Sequence, residues 1–401
     1  MLPAPSDKLQ YLVGRYERFV GARPLKPYDD LTCAFLADLS ECLLSGDIRR
    51  YPDVASFAYW CRRANVARLR AAFENDEARL GLGVVFHVTP ANVPINFAFS
   101  YAFSLLAGNS SVVRAPTKPF PQTAIVCNAL QQLFSHPKHQ TVADMTVFAR
   151  YERDDGITAA FSAVCNARVV WGGDQTIKSM RAILLPERSI EVVFADRYSA
   201  CVIDGTALVH ARGQAIEKLA QDFYNDTYVL DQNACSSPHL VVWLGKGEAI
   251  EKAKEKFWDH VYDLAVSRYE LQPISAVDKY TLMCRNAIDV PAAVSTKDHG
   301  NYVYRVALDS LPKNVDTLRG QCGYFYEYTT DHIDELAAVI NARYQTLTYF
   351  GCDNSQLLDF VMRNRLTGID RIVPVGLALD IGIKWDGYDI VRTLSRVIEV
   401  R

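Results

Sequence analysis

The chain has 401 residues, 49% of them hydrophobic and 22% charged, enough for two globular domains of ordinary size or one large α/β body. A formal net charge of -3 and the lack of a dense basic run exclude nucleic acid and membrane surfaces as expected partners. Residues 1–10 do not read as a secretory signal, no segment approaches the roughly 18 apolar residues of a spanning helix, and the 10 cysteines lack zinc or disulfide-scaffold spacing. A cytoplasmic protein with free thiols and no metal site is expected.

Apolar residues at helical spacing predict helices over 31–44 and 54–73, the second opened by Pro52-Asp53, so that residues 1–80 read as helical scaffold. From Gly83 the texture changes. Residues 83–88 form a short apolar strand running into Thr89-Pro90-Ala91-Asn92-Val93-Pro94, whose prolines forbid further pairing. A helix over 96–107, a strand over 111–114, a helix over 123–134, a strand over 145–149, a helix near Thr158, a strand over 168–171, a helix from Gln175 and a strand over 189–194 follow. This alternation predicts a mostly parallel, doubly wound sheet.

A second domain is expected from residue 205 to 367, with a helix over 212–224, a loop over 225–237, a strand over 239–244 and a charged helix over 248–264. The first domain then spans residues 1–204. Residues 368–401 form a return segment whose end, 395–400, alternates apolar and polar residues and needs another sheet edge, in this chain or in a partner subunit. The aromatic run Tyr324, Phe325, Tyr326 and Tyr328 reads as core, and 251–256 as a solvated helix face.

Three places offer chemistry. Cys235, in Asp231-Gln232-Asn233-Ala234-Cys235-Ser236-Ser237-Pro238, is a thiol among small residues that leave room for a carbonyl; its other reading is a small buried hydrophobe. Asn92, between two prolines, is a rigidly placed amide able to share an oxyanion with the Cys235 backbone N–H, or a turn asparagine bonded to its own backbone. Arg114 ends a strand, and Gly172-Gly173 opens a helix whose amides could face a phosphate. His239 is a weaker candidate base, since it begins an apolar strand.

The arrangement resembles the aldehyde dehydrogenase superfamily and, within it, the acyl-CoA reductases related to the fatty acid reductase (LuxC) of bacterial luminescence. The resemblance runs from about Gly83 to the C-terminus. It rests on residues 231–238 and on the tail Gly368-Ile369-Asp370-Arg371-Ile372-Val373-Pro374-Val375-Gly376 with Trp385-Asp386-Gly387-Tyr388-Asp389.

The resemblance implies an aldehyde dehydrogenase-like α/β fold: two doubly wound domains, one for cofactor and one for catalysis, with a C-terminal oligomerisation strand. It implies Cys235 as nucleophile and Asn92 as oxyanion donor. It places Thr89, Pro90, Arg114, Thr117, Gly172 and Gly173 at the cofactor, with Gln321 where the family carries a ribose-binding glutamate. Arg114 and the absence of an acid at Thr117 favour NADPH, with NADH still open. Glu191 lacks the glycine pair that follows the family's water-activating glutamate, so it reads as structural.

The expected reaction is NADPH-dependent reduction of an acyl thioester, acyl-CoA or acyl-protein, to the aldehyde through a Cys235 thioester. The acyl chain stays open, an acyl-activating enzyme is an expected partner, and at least a homodimer is expected. A hydrolytic aldehyde dehydrogenase and a non-redox acyl carrier or acyltransferase are the alternatives.

Overall fold

The computed structural model describes residues 2–19, 23–48, 50–73, 77–90 and 93–401. The chain divides into two compact units, Met1–Ala195 with Tyr388–Arg401, and Asp196–Gly387.

The first unit opens with β1 (Gln10–Val13), α1 (Asp30–Ser45), α2 (Pro52–Trp60), α3 (Arg63–Ala72) and β2 (Ala78–Gly81). Strands and helices then alternate: β3 (Val84–Val88), α4 (Asn96–Leu106), β4 (Ser110–Arg114), α5 (Pro121–Phe134), α6 (Gln140–Asp144), β5 (Thr146–Arg150), α7 (Asp155–Ser162), β6 (Ala167–Trp171), α8 (Asp174–Arg181) and β7 (Ile190–Phe194). The sheet order is β1-β5-β4-β3-β6-β7. Strands β3 to β7 are mutually parallel and β1 joins β5 antiparallel.

Winding starts at β3, runs outward through β4 and β5, then returns to β3's other side with β6. The carboxyl ends of β3 and β6 therefore flank a topological switch point. Every residue of β3 and β6 is buried, as expected of parallel strands covered on both faces. Helix α4 is buried at every position, a core helix apolar nearly all round. It ends at Gly108, whose φ of +86° and close approach to the Leu25 carbonyl leave no room for a Cβ.

Two expectations for residues 1–80 are corrected. Strands β1 and β2 interrupt the helical scaffold. The single helix expected over 54–73 is two, because Arg62 leaves the helical region at ψ 142° and the Asn65 side-chain amide takes the Trp60 carbonyl at 2.7 Å.

The second unit comprises β8 (Tyr198–Asp204), α9 (Gly205–His210), α10 (Gln214–Thr227), β9 (Pro238–Leu244), α11 (Glu248–Arg268), α12 (Pro273–Asp289), β10 (Ala293–His299), β11 (Val303–Leu308), β12 (Tyr324–Thr330), β13 (Tyr344–Phe350), α13 (Asn354–Arg363), β14 (Arg371–Pro374) and β15 (Lys384–Trp385). Its seven-stranded sheet, β10-β11-β12-β9-β8-β13-β14, is parallel except for β10. Period-two alternation sends Val202, Leu240, Val242, Tyr324 and Tyr326 into one core, and Ile203, Val241, Trp243 and Phe325 into the core on the opposite face. The aromatic run of β12 thus fills cores on both faces.

Both units carry the expected mostly parallel α/β sheets, but the divisions differ from those expected. The first lies after Ala195, not near Asp204, because β8 is a central strand of the second sheet, between β9 and β13. The segment 368–401 is split: β14 pairs with β13, whereas β16 (Tyr388–Asp389), α14 (Ile390–Thr393) and β17 (Ser395–Ile398) belong to the first unit. Strand β17 finds its edge in its own chain, antiparallel to β2. Asn109 locks that return, donating to the Leu394 carbonyl at 2.9 Å while accepting from the Gly83 N–H at 3.0 Å. No helix among the described residues is long and apolar enough to cross a membrane.

Candidate active site

The thiol lies in the second unit, on the loop between α10 and β9. Asp231 and Gln232 take left-handed φ values of 53° and 61°, uncommon for residues with a Cβ. The fully buried Gln232 side chain over-determines that turn. Its Nε2 donates to the Pro238 and Tyr324 carbonyls at 3.0 Å each, and its Oε1 accepts from the Gly323 and Tyr324 N–H groups at 3.2 Å each. Ser199 Oγ donates to the Cys235 carbonyl at 2.7 Å, and Ser237 Oγ donates to the Asp226 carbonyl at 2.7 Å. The backbone around the thiol is thereby fixed on both sides.

Cys235 Sγ borders a cavity of about 250 Å³, whose wall includes Gln232, Asn233, His239, Lys279, Arg319 and Gln321. The cavity opens at the amino ends of β9 and β12. Burial pushes the Cys235 thiol up to about 12, and the Asp386 carboxylate adds to that; the hydrogen bond from Gln345 works against it, and Asp196 adds further in the raising direction. Gln345 Nε2 lies 3.4 Å from Sγ.

The sequence-derived candidates in this unit fall as follows. Gln321 is at the thiol cavity and donates to Asn233 Oδ1 at 2.7 Å. His239 also faces the cavity, but burial drives its imidazole down to about 3, helped by nearby Arg319, so the ring is neutral. It stacks on Tyr198 at 5.5 Å, and its Nδ1 has no hydrogen-bond partner among the described residues. Lys279, lowered to about 8 by burial, is spent on backbone carbonyls, among them Cys322 at 2.7 Å, and props the loop that carries Gln321.

In the first unit, Thr89, Pro90, Arg114, Thr117, Gly172 and Gly173 all line one cleft, also of about 250 Å³. It lies at the carboxyl ends of β3, β4 and β6, at the switch point. Thr89 Oγ1 donates to the Arg114 carbonyl at 2.9 Å, tying the ends of β3 and β4 together. The Arg114 guanidinium lies over the Tyr151 ring at 4.5 Å. Gly173 caps α8 with no side-chain hydrogen bond, and a Cβ built there meets nothing within 4 Å. An open helix start beside a half-buried arginine suits a nucleotide's phosphates.

Glu191 has a different occupation. It accepts from Arg168 Nη2 at 2.5 Å and Nε at 3.0 Å, and from Arg181 Nε at 3.1 Å. Asn92 lies outside the described residues. Gln232, Ser199 and Gln345 carry no individual signal in the sequence, and Asp386, one residue of the tail motif, is set by the structure against Gln345. Among the described residues no cluster of metal-ligating side chains occurs.

Residues 63–259, which include Cys235 and every residue lining the cleft, match the sequence model of the family described as Acyl-CoA reductase (LuxC). No curated protein matches. Among solved structures, the chain is similar to a salicylaldehyde dehydrogenase from Pseudomonas putida G7, at 13% identity and a TM-score of 0.64, covering 93% of this chain and 85% of that one. It is similar to an NAD-dependent benzaldehyde dehydrogenase from Corynebacterium glutamicum, at 10% identity and a TM-score of 0.61, covering 98% and 94%. A proline utilization A (PutA) structure matches at 15% identity and a TM-score of 0.62, over 88% of this chain but 39% of that longer one. The chain has the aldehyde dehydrogenase fold, and over residues 63–259 it is similar to the acyl-CoA reductase (LuxC) family, which supports an oxidoreductase.

Proposed function

We propose that the protein reduces an acyl thioester to the aldehyde through a covalent thioester on Cys235. The observation that carries this reading is a thiol held by its backbone at a cavity, in a chain whose other unit has an arginine-edged cleft at a switch point. The Cys235 sulfur attacks the thioester carbonyl, its oxyanion resting on the Cys235 N–H and on Asn92, and the donor's thiol leaves. NADPH, when bound, supplies the hydride that reduces the enzyme thioester, and the thiohemiacetal on Cys235 then collapses to free aldehyde.

Arg114, Gly172 and Gly173 hold the dinucleotide in this scheme, with Thr89, Pro90 and Thr117 shaping its cleft and Gln321 reserved for the ribose. Arg114, with a threonine rather than a carboxylate at 117, favours NADPH over NADH. Glu191 decides between hydride and water. Bound by two arginines, it is not available to deprotonate a water, which protects the acyl-enzyme from hydrolysis.

Acyl-CoA and acyl-protein both stay open as donors, and an acyl-activating enzyme is the proposed source of either. The ten free thiols suit a reducing cytoplasm. A homodimer is also proposed, supported by Val397, Ile398 and Val400, apolar residues exposed in and just beyond β17; light scattering at the mass of one chain would refute it.

The decisive experiment incubates the protein and Cys235→Ala with NADPH and a panel of acyl-CoAs, following cofactor absorbance and aldehyde. Oxidation with at least one thioester, lost in the alanine variant, is expected. No oxidation with any thioester, or full activity in the variant, would overturn the proposal.

A further inference from the structure

Three side chains far apart in sequence meet within the second unit: Cys235 from the loop before β9, Gln345 from the start of β13, and Asp386 from the turn after β15. Gln345 is fully buried, and every bond of its amide is directed. Its Nε2 sends one hydrogen toward Cys235 Sγ at 3.4 Å and the other to Asp386 Oδ1. Its Oε1 accepts from Thr346 Oγ1 at 3.3 Å. The reversed amide would set a carbonyl oxygen against a carboxylate, so Asp386 determines which end of Gln345 meets the sulfur. Asp386 is itself held, 6% exposed, with its Oδ2 3.7 Å from Arg197 Nε; Arg197 also faces Asp370 at 3.4 Å.

We propose that Gln345 is the hydrogen-bond donor that stabilises the Cys235 thiolate, and that Asp386 is the positioning residue that keeps its amide turned toward the sulfur. The reading rests on the thioester chemistry above only for the use to which the thiolate is put. A sulfur anion in a buried site needs a donor in contact, and among the described residues the side chain bonded to Sγ is this neutral amide. The charges felt at Cys235 divide: Asp386 and Asp196 oppose the anion, whereas Arg371 favours it. An N–H donated to an ionised acceptor is about twice as strong as the same bond to a neutral one, so the contact gains strength as the proton leaves. Asp386 therefore has two opposed effects on the thiol. Its charge disfavours the anion, and its acceptor oxygen holds the donor that favours it.

Those effects are separable. Iodoacetamide alkylation of Cys235, followed near neutral pH by mass spectrometry of its own peptide because Cys284 is exposed and also reacts, reads changes in the thiolate without substrate or cofactor. Gln345→Met keeps length and removes the donor; alkylation is expected to slow severalfold, because less thiolate forms and its greater nucleophilicity offsets only part of the loss. Asp386→Asn keeps an acceptor oxygen and removes the charge, and alkylation is expected to quicken. Asp386→Leu removes both, and Cys235 is expected to react more slowly than in Asp386→Asn despite the same loss of charge.

Wild-type alkylation in Gln345→Met would overturn the donor role, and equal rates in the two Asp386 variants would overturn the positioning role. Should the methionine variant fail to fold, as judged by circular dichroism, Gln345→Asn withdraws the donor by one methylene and carries the same expectation and the same refutation. The outcome is independent of the reductase assay. Altered alkylation with no aldehyde from any thioester would sink the proposed reaction and leave Gln345 in place, and the reverse pattern would do the opposite.

Discussion

Gly173→Ala separates nucleotide binding from folding, because the first unit leaves room for the methyl inside the protein but not beside a phosphate. The backbone at Gly173, φ −68° and ψ 166°, is open to any residue, and its Cβ would meet no atom within 4 Å. Alanine should therefore fold without strain and gain about 0.4–1 kcal/mol by restricting the unfolded chain. The same methyl points into open space at the cleft, where the uncapped start of α8 would receive the pyrophosphate. Losing one hydrogen bond to a charged oxygen costs about 1.5–3 kcal/mol, which weakens NADPH about ten- to hundredfold. A fluorescence titration of NADPH beside a thermal melt tests both halves. The neighbouring Gly172 is a poorer probe, since its Cβ would press on the Thr176 side chain at 3.1 Å. Wild-type affinity in a Gly173→Ala protein that melts no lower than the wild type would refute the placement of the phosphates.

Arg114→Ala is expected to weaken NADPH more than NADH in the same titration; equal losses would remove the argument for a 2′-phosphate. Glu191→Ala leaves the buried Arg168 guanidinium, 1% exposed, with the neutral Ser162 Oγ and Ile183 carbonyl as its partners among the described residues. That should cost about 3–5 kcal/mol in urea denaturation while aldehyde formation per folded molecule persists; lost aldehyde formation at unchanged stability would instead make Glu191 catalytic. Burial raises the Asp226 carboxyl to about 7, against the pull of hydrogen bonds from the Gly376 and Ala378 N–H groups. The folded chain then holds a proton that the unfolded chain has released, so this group's contribution falls as pH rises from about 4 through 7. Urea midpoints across that range should show this loss in the wild type and not in Asp226→Asn, and identical slopes would contradict it.

The parts legible in the sequence were those carried by local pattern. Strands β3 and β6 are largely apolar runs bounded by Gly, Pro or Asn, and most of the cleft residues follow directly from those strand ends. Strands β1 and β2 are four residues long, each with a single buried position, too little for alternation to register. Only Ala195, Asp196 and Arg197 lie between β7 and β8, with no linker composition, so the unit boundary left no mark. Gln345 was invisible for another reason. Its partners are 110 and 41 residues away, and a glutamine in a tyrosine- and threonine-rich strand carries no sign that it will be buried against a thiol.

The two units use opposite ends of their sheets, and this difference bears on how the thiol can work. The nucleotide cleft lies at the carboxyl ends of β3, β4 and β6, where the following helix presents its positive amino end; α8 begins there at Asp174. Cys235 lies just before the amino end of β9, in the loop that follows α10, and Ser237 bonds a carbonyl of that helix's last turn. Asp386 and Asp196 disfavour an anion at the sulfur, Arg371 favours it, and the neutral His239 adds no charge. A thiolate at Cys235 therefore depends on discrete donors aimed at the sulfur, which is why the orientation of the single amide of Gln345 matters more here than it would beside a helix amino end.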